Sequence, residues 1–449
     1  MNSAPFSQPD APPDPARKRV SVLPPAFRRN FTLGALNGIL FNISTGFIST
    51  NLVLPGLVRA LGGSHVMVGT LPALDVGGWL LPQLIVGTHL QSRPRKLPLY
   101  WISAGLRAIL FGGLVLIVAM ASHLLPTITL VAFFLCYGLY TLASGLAGIP
   151  FQEVVAKAIP PRRRGIFFGL RQFGGGLLTI FLVSWIVGEV LREGSPWGFP
   201  QNYALLFGLA FACALLGLLT FSMVLEPPSK EVGQRAPLRA QFRLLPALWR
   251  SHPDLRRFLA YKVLARLGMI AEPFYIVFVT EQMGVPIGFV RNYLIAISVV
   301  QVFSYLAWSQ LSDRLGNRLL LRLGSGLAAA APPLALLLPL LGTSLGLSVQ
   351  ANAYLFALVF VLSGLGNAGQ GIGMVNYVLE LLPERHRPGG LGLINTITGV
   401  LGMLTILGGT LADLVGYSPL FLVAAGLALA SFLLSWPLGE PRRGHAYHT

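Results

Sequence analysis

Six ionisable side chains interrupt stretches that are otherwise apolar: Asp75, Arg107, Arg171, Lys262, Arg266 and Glu272. At bilayer depth each such group is costly, so it needs a partner or a task. Three chemistries fit these residue types. Asp75 with Arg107, or Glu272 with a basic neighbour, can form buried pairs that hold helices together. The basic groups outnumber the acidic ones four to two and so can attract an anionic or zwitterionic solute. A carboxylate in a water-poor cavity, Asp75 or Glu272, can take up and release a proton. Lys262 and Arg266 are four residues apart and share a helical face, a repulsive arrangement unless something negative meets it. Lys262 can also reach the membrane interface along its own aliphatic stem. Glu272 precedes Pro273, which predicts a kink.

The elements that carry these charges are long. The chain has 449 residues, of which 54% are hydrophobic and 11% charged, whereas soluble domains are about a quarter charged. About 20 apolar residues span a bilayer as a helix. Twelve such spans are expected, over 30–54, 65–90, 97–121, 125–148, 166–191, 203–225, 258–280, 287–308, 318–341, 351–374, 389–412 and 418–438. Of the 33 Lys and Arg, 26 fall in the two tails and the even-numbered connections, 3 in the odd-numbered ones and 4 inside spans. That bias puts both termini in the cytoplasm of a multi-pass protein of the cell inner membrane. It also accounts for the net charge of +17 through anionic lipid rather than nucleic acid. The first 29 residues lack an apolar signal region, and Arg28-Arg29 has no export cleavage site after it. Cys136 and Cys213 lie in different spans and read as buried free thiols.

The chain divides into a tail (1–29), six spans (30–225), a connection (226–257), six more spans (258–438) and a second tail (439–449). Within the connection, 237–245 alternates basic and apolar residues at helical spacing, which suits either a helix lying on the membrane or a plain tether. The halves repeat. Pro160, Arg164 and Gly169 recur as Pro383, Arg387 and Gly392, and the segment from Gly87 to Lys96 recurs as Ser309 to Arg318. Two landmarks at nearly one offset indicate an internal duplication, the pattern of two bundles around a central cavity.

Asp313-Arg314-Leu315-Gly316-Asn317-Arg318, between the eighth and ninth spans, resembles the signature loop of the major facilitator superfamily of secondary transporters. In the first-half copy, which contains Gly87 and Arg95, Gln91 stands at the family's acidic position and Pro94 at its second glycine. The resemblance implies an all-α membrane fold of twelve helices in two pseudo-symmetric six-helix bundles. It also implies gating by Asp313, Arg314, Gly316 and Arg318, with Asp313 meeting a helix start or the guanidinium of Arg164 or Arg387. In the family's arrangement spans 1, 4, 7 and 10 line the cavity. Here they offer Asn37, Asn42, Tyr137, Tyr140, Arg266, Glu272, Asn367, Gln370 and Tyr377, and spans 5 and 11 add Arg171, Gln172 and Asn395. The fourth span lacks the arginine-centred motif tied to proton coupling in many relatives. The fifth has Gly174-Gly175-Gly176 without the antiporter Gly-Pro pair.

Two patterns match a motif without its mechanism. Gly364-Leu-Gly366-Asn-Ala-Gly369 fits a dinucleotide fingerprint but lies inside an apolar helix, where small residues serve close packing. Gly342-Thr-Ser344-Leu-Gly346 fits a nucleophile elbow but falls in a short loop between spans. No phosphate-binding Gly-x4-Gly-Lys-Ser/Thr loop and no metal-spaced Cys/His cluster occurs. The expectation is a monomeric secondary transporter, not an enzyme and without cofactor, for a small-molecule substrate, with a proton or another ion as the coupling partner. The alternative is a sensor or assembly factor on the same scaffold that moves nothing.

Overall fold

In hydrocarbon every backbone N–H and C=O must be satisfied within the chain, and for long apolar runs the helix does this. The computed structural model describes residues 26–90, 92–229, 253–381 and 387–440. Among them, ten helical segments are long and apolar enough to cross a membrane. Helices Phe27–Phe47 and His65–Leu90, of 21 and 26 residues, complete the twelve as spans 1 and 2. Spans 3 to 6 are Leu97–Ala119, Pro126–Ala158, Ile166–Leu191 and Gln201–Ser222. Spans 7 to 12 are Pro253–Glu281, Ile287–Ser312, Asn317–Ser344, Val349–Val378, Ile394–Val415 and Tyr417–Leu434.

Span 1 packs on spans 5 and 6, span 4 on spans 2 and 3, and span 3 on span 6. Spans 7 to 12 repeat that scheme: 7 on 11 and 12, 10 on 8 and 9, and 9 on 12. Two pseudo-symmetric six-helix bundles result, as the duplicated sequence implies. They meet through span 2 against span 11 and span 5 against span 8.

Several helices break where the sequence suggested continuity. Span 1, expected to reach residue 54, ends at Phe47, and a separate short helix follows at Leu54–Ala60. The polar turn residues Ser49, Thr50 and Asn51 separate the two, and Pro55 sits in the first turn of the second, where its missing N–H costs little. The kink expected at Pro273 falls just ahead of it, as a 3-10 turn over Met269–Ala271. Span 5 contains a π turn over Thr179–Val183, and span 11 is interrupted between Gly402 and Thr405.

The apolar core is joined at one end of the molecule and split at the other. The largest cluster runs across both bundles, from Phe47, Leu57 and Val58 to Phe274, Tyr275 and Phe421, near the face with few basic residues. Toward the basic face the core divides. One cluster holds Tyr100, Val154, Phe167 and Phe221 of the first bundle, and another holds Phe258, Tyr261, Leu321 and Tyr377 of the second.

Two acids that the sequence reading passed over tie down helix starts at the basic face. The Glu226 carboxylate accepts the backbone N–H of Lys96 and of Leu97, each at 2.8 Å, and the Lys157 ammonium at 2.7 Å. Glu440 accepts the backbone N–H of Arg318 at 3.3 Å. A carboxylate there satisfies free N–H groups and complements the helix dipole. The expected tail 1–25, the surface helix of the central connection and the tail 441–449 lie outside the described residues, as do Gln91 and the side chains of Asp313 and Arg387.

Candidate functional site

At the charge-poor face the bundles are locked together. Glu281, at the end of span 7, accepts Arg59 Nε at 2.5 Å and the Tyr417 hydroxyl at 2.5 Å. His65 Nδ1 lies 2.5 Å from Asp413 Oδ1, and its Nε2 lies 2.6 Å from the Tyr417 hydroxyl. The Asp413 carboxylate also accepts the backbone N–H groups of His65 and Val66 at 3.1 Å each, so span 11 caps the start of span 2. This approach needs glycine: a Cβ on Gly409 would stand 2.3 Å from the His65 carbonyl oxygen. Deeper in, Thr405 Oγ1 donates to the Gly69 carbonyl at 3.1 Å. In the same half, Arg291 of the second bundle lies 4.0 Å from Glu189 of the first.

Beneath the closure lies a cavity of about 900 Å³. Spans 1 to 5 supply most of its wall, and span 8 supplies Leu294, Ile297, Ser298 and Gln301. Of the residues singled out above, Asn37, Asn42, Asp75, Arg107, Tyr137, Tyr140 and Arg171 line it. Lys262, Arg266, Glu272, Asn367, Gln370, Tyr377, Gln172 and Asn395 do not. The wall therefore differs from the expected one: span 8 contributes where spans 7 and 10 were expected, and Glu272, Gln370 and Tyr377 make their hydrogen bonds within the second bundle.

The geometry assigns partners that spacing could not. Asp75 is exposed to the cavity. It interacts electrostatically with Arg266 of the opposite bundle, rather than pairing with Arg107. Arg266 also feels Glu272, so a carboxylate, a guanidinium and a second carboxylate are strung across the bundle interface. Glu272 accepts Ser363 Oγ at 2.7 Å and Asn367 Nδ2 at 2.6 Å. Lys262 lies beside Arg266 and forms no ion pair among the described residues. Gln370 donates to the Gly324 carbonyl at 3.4 Å, and Tyr377 stacks on Phe258 and donates to the Gly439 carbonyl at 3.0 Å, so both hold the second bundle together.

Arg107 is 8% exposed, with its guanidinium 4.6 Å from the centre of the Phe41 ring and 5.8 Å from that of Tyr140. Arg171 lies against Phe151 and Phe167 at 4.7 and 5.4 Å. It donates to the Gly34 carbonyl and, at 3.0 Å, to Asn37 Oδ1. Gly38 makes room for it, since a Cβ there would stand 2.4 Å from the Arg171 side chain. Asn37 in turn donates to the Gly217 carbonyl at 2.7 Å, and Asn42 donates to Gln172 Oε1 at 3.0 Å.

The gating candidates at the basic face divide. Arg164 folds back on its own bundle, donating to the Ile159 and Ala156 carbonyls at 3.0 and 2.6 Å. Arg318 donates to the Trp436 carbonyl at 3.1 Å. Gly316 has a positive φ of 89°, with the Glu440 carboxylate closed over it. Arg95 and Arg314 are exposed, and Gly87 lies under Ile149 of span 4.

Residues 333–447 match the family model described as Major Facilitator Superfamily. No curated protein sequence matches the chain. Among solved structures it is similar to the nucleoside transporter NupG, at 15% identity over 92% of this chain and 100% of that one, with a TM-score of 0.68. A bacterial homologue of the iron transporter ferroportin in its inward-facing state gives 0.65, at 16% identity over 91% and 98%. Its outward-facing state gives 0.59, at 15% identity over 90% and 98%. The chain is thus a multi-pass membrane protein with the major facilitator superfamily fold throughout its described length and the family's sequence pattern in its last spans.

Proposed function

We propose that this protein is a secondary active transporter that moves a small solute by alternating access. The observation that carries the reading is the core itself, one piece across both bundles at the charge-poor face and separate pieces within each bundle at the basic face, with the cavity between. Two rigid bundles joined at one end can rock about a central site. With the basic connections in the cytoplasm, the conformation is inward-open. The greater likeness to the inward-facing than to the outward-facing ferroportin homologue supports this. In the outward-open conformation the cluster of Arg59, His65, Glu281, Asp413 and Tyr417 separates. The loop at Asp313, Arg314, Gly316 and Arg318, with Arg164 and Arg387, then closes the other end.

Asp75 is the candidate coupling group. It stands in the cavity on the first bundle and faces a guanidinium on the second, so its surroundings change when the bundles rock. A proton or another cation can then bind where Arg266 is withdrawn. The test is flux in sealed vesicles, using a solute that raises the melting temperature of the purified protein. Asp75→Asn and Arg266→Ala are expected to abolish uptake against a gradient while the protein remains folded and inserted. Vesicles of wild-type protein that bind such a solute yet move none of it would instead establish the sensor or assembly-factor alternative.

A further inference from the structure

Arg107 and Arg171 line the same cavity, and neither has a carboxylate partner among the described residues. Both interact electrostatically with Tyr100, which also lines the cavity. The carboxylate in the described cavity wall is Asp75, one acid against two guanidiniums, and Arg266 of the other bundle also acts on it electrostatically. The first-bundle side of the cavity is therefore positively charged.

A guanidinium with a purely structural role in a membrane protein completes its donor fork on carbonyls or a carboxylate. Arg107 does not. It is more than nine-tenths buried, and its Nε is enclosed without a hydrogen-bond partner. Rings against the faces of both guanidiniums replace part of the lost hydration. Ring stacking does not consume the in-plane N–H donors that recognise an oxyanion; Arg171 spends its Nη1 group on Gly34 and Asn37 and keeps its other donors. Arg171 is held by Asn37 and Gly34, so it is fixed in position before any ligand arrives. Trp79 and Leu80 of span 2, with Leu294 and Ile297 of span 8, add apolar groups to the cavity wall.

We propose that Arg107 and Arg171 form an oxyanion-binding subsite and that the cargo is a small organic anion, a carboxylate or phosphate head on an apolar body. The word cargo rests on the transport reading; the subsite itself does not.

The test compares four phenyl probes at fixed ionic strength: benzoate, phenyl phosphate, benzyl alcohol and benzylammonium. Each is titrated against the purified full chain in uncharged detergent, and the unfolding midpoint is followed. At least one anion is expected to raise the midpoint saturably, and the neutral and cationic probes are expected not to. A response to benzoate alone identifies a carboxylate subsite, and a response to phenyl phosphate alone a phosphate subsite. Arg107→Ala and Arg171→Ala should each abolish the anion effect. The conservative Arg107→Lys and Arg171→Lys retain charge but lose the fork, and should weaken binding by about tenfold; they serve should an alanine variant fail to fold. Equal responses to benzyl alcohol and benzoate, or anion responses unchanged in the lysine variants, overturn the proposal. Binding in detergent requires no transport cycle. An absent anion effect beside intact two-sided access of the cavity therefore removes the substrate class alone, and an anion effect beside fixed access removes the transport reading alone.

Discussion

Asn37 shows how much one amide can do when it is 2% exposed between three helices. It donates to span 6 through Gly217 and accepts from Arg171 of span 5. Asn37→Ala is expected to destabilise the protein by about 1–3 kcal/mol, because it leaves a buried carbonyl and a buried guanidinium each short of a bond. The same variant should weaken binding of whichever phenyl anion responds, since Arg171 is no longer held; chemical unfolding and the probe titration read the two effects separately. Asn37 was legible as a polar group in span 1, and so were the six charges. Their partners were not. Spacing along one helix cannot tell which residue of another helix stands opposite, so Arg107 was only one partner open to Asp75, and Arg266 is the guanidinium that acts on it electrostatically. The Arg107 surroundings were equally hidden: Tyr140 was legible as a cavity residue, but Phe41 looks like an ordinary lipid-facing aromatic, and spacing sets neither against Arg107.

At the scale of elements, two carboxylate clamps deserve direct measurement. Glu226 is nearly enclosed, and with Lys157 and two backbone N–H groups it joins the ends of spans 3, 4 and 6. Removing one partner of such a pair leaves a buried charge, so Glu226→Ala should cost about 3 kcal/mol and lower the unfolding midpoint. An unchanged midpoint would show that the contact contributes nothing. At the other face, Glu281→Gln combined with Asp413→Asn should loosen the closure without unfolding either bundle. The expected outcome is faster modification of a cavity cysteine from the charge-poor side. The number and order of the spans followed from apolar length. The breaks at Phe47 and Gly402 did not, since hydropathy reports lipid exposure rather than backbone geometry, whereas Pro273 signalled the one at Met269–Ala271. A signal for the clamps was present: Glu226-Pro227 follows span 6 and Glu440-Pro441 follows span 12, the same dipeptide at the same place in each half.

Over the whole molecule, the duplication explains why both bundles have one packing scheme, and the unequal polar residues explain why the cavity is lopsided. Positive charge concentrates on the first bundle, while Glu272, Gln370 and Tyr377 are spent inside the second. The signature loop belongs to this scale, because its role concerns the conformation opposite to the one described. Asp313→Asn is expected to change transport rate more than solute affinity, and lost binding at an unchanged rate would contradict that role. Rocking itself can be read at Thr45, an exposed side chain of the cavity wall. The measurement places a single cysteine at Thr45 with Cys136 and Cys213 replaced by serine, and applies a membrane-impermeant maleimide to sealed vesicles of either orientation. The account predicts rapid labelling from the side of the basic connections, and a shift toward the opposite side when Glu281→Gln and Asp413→Asn are added. Labelling confined to one side in both proteins would contradict it.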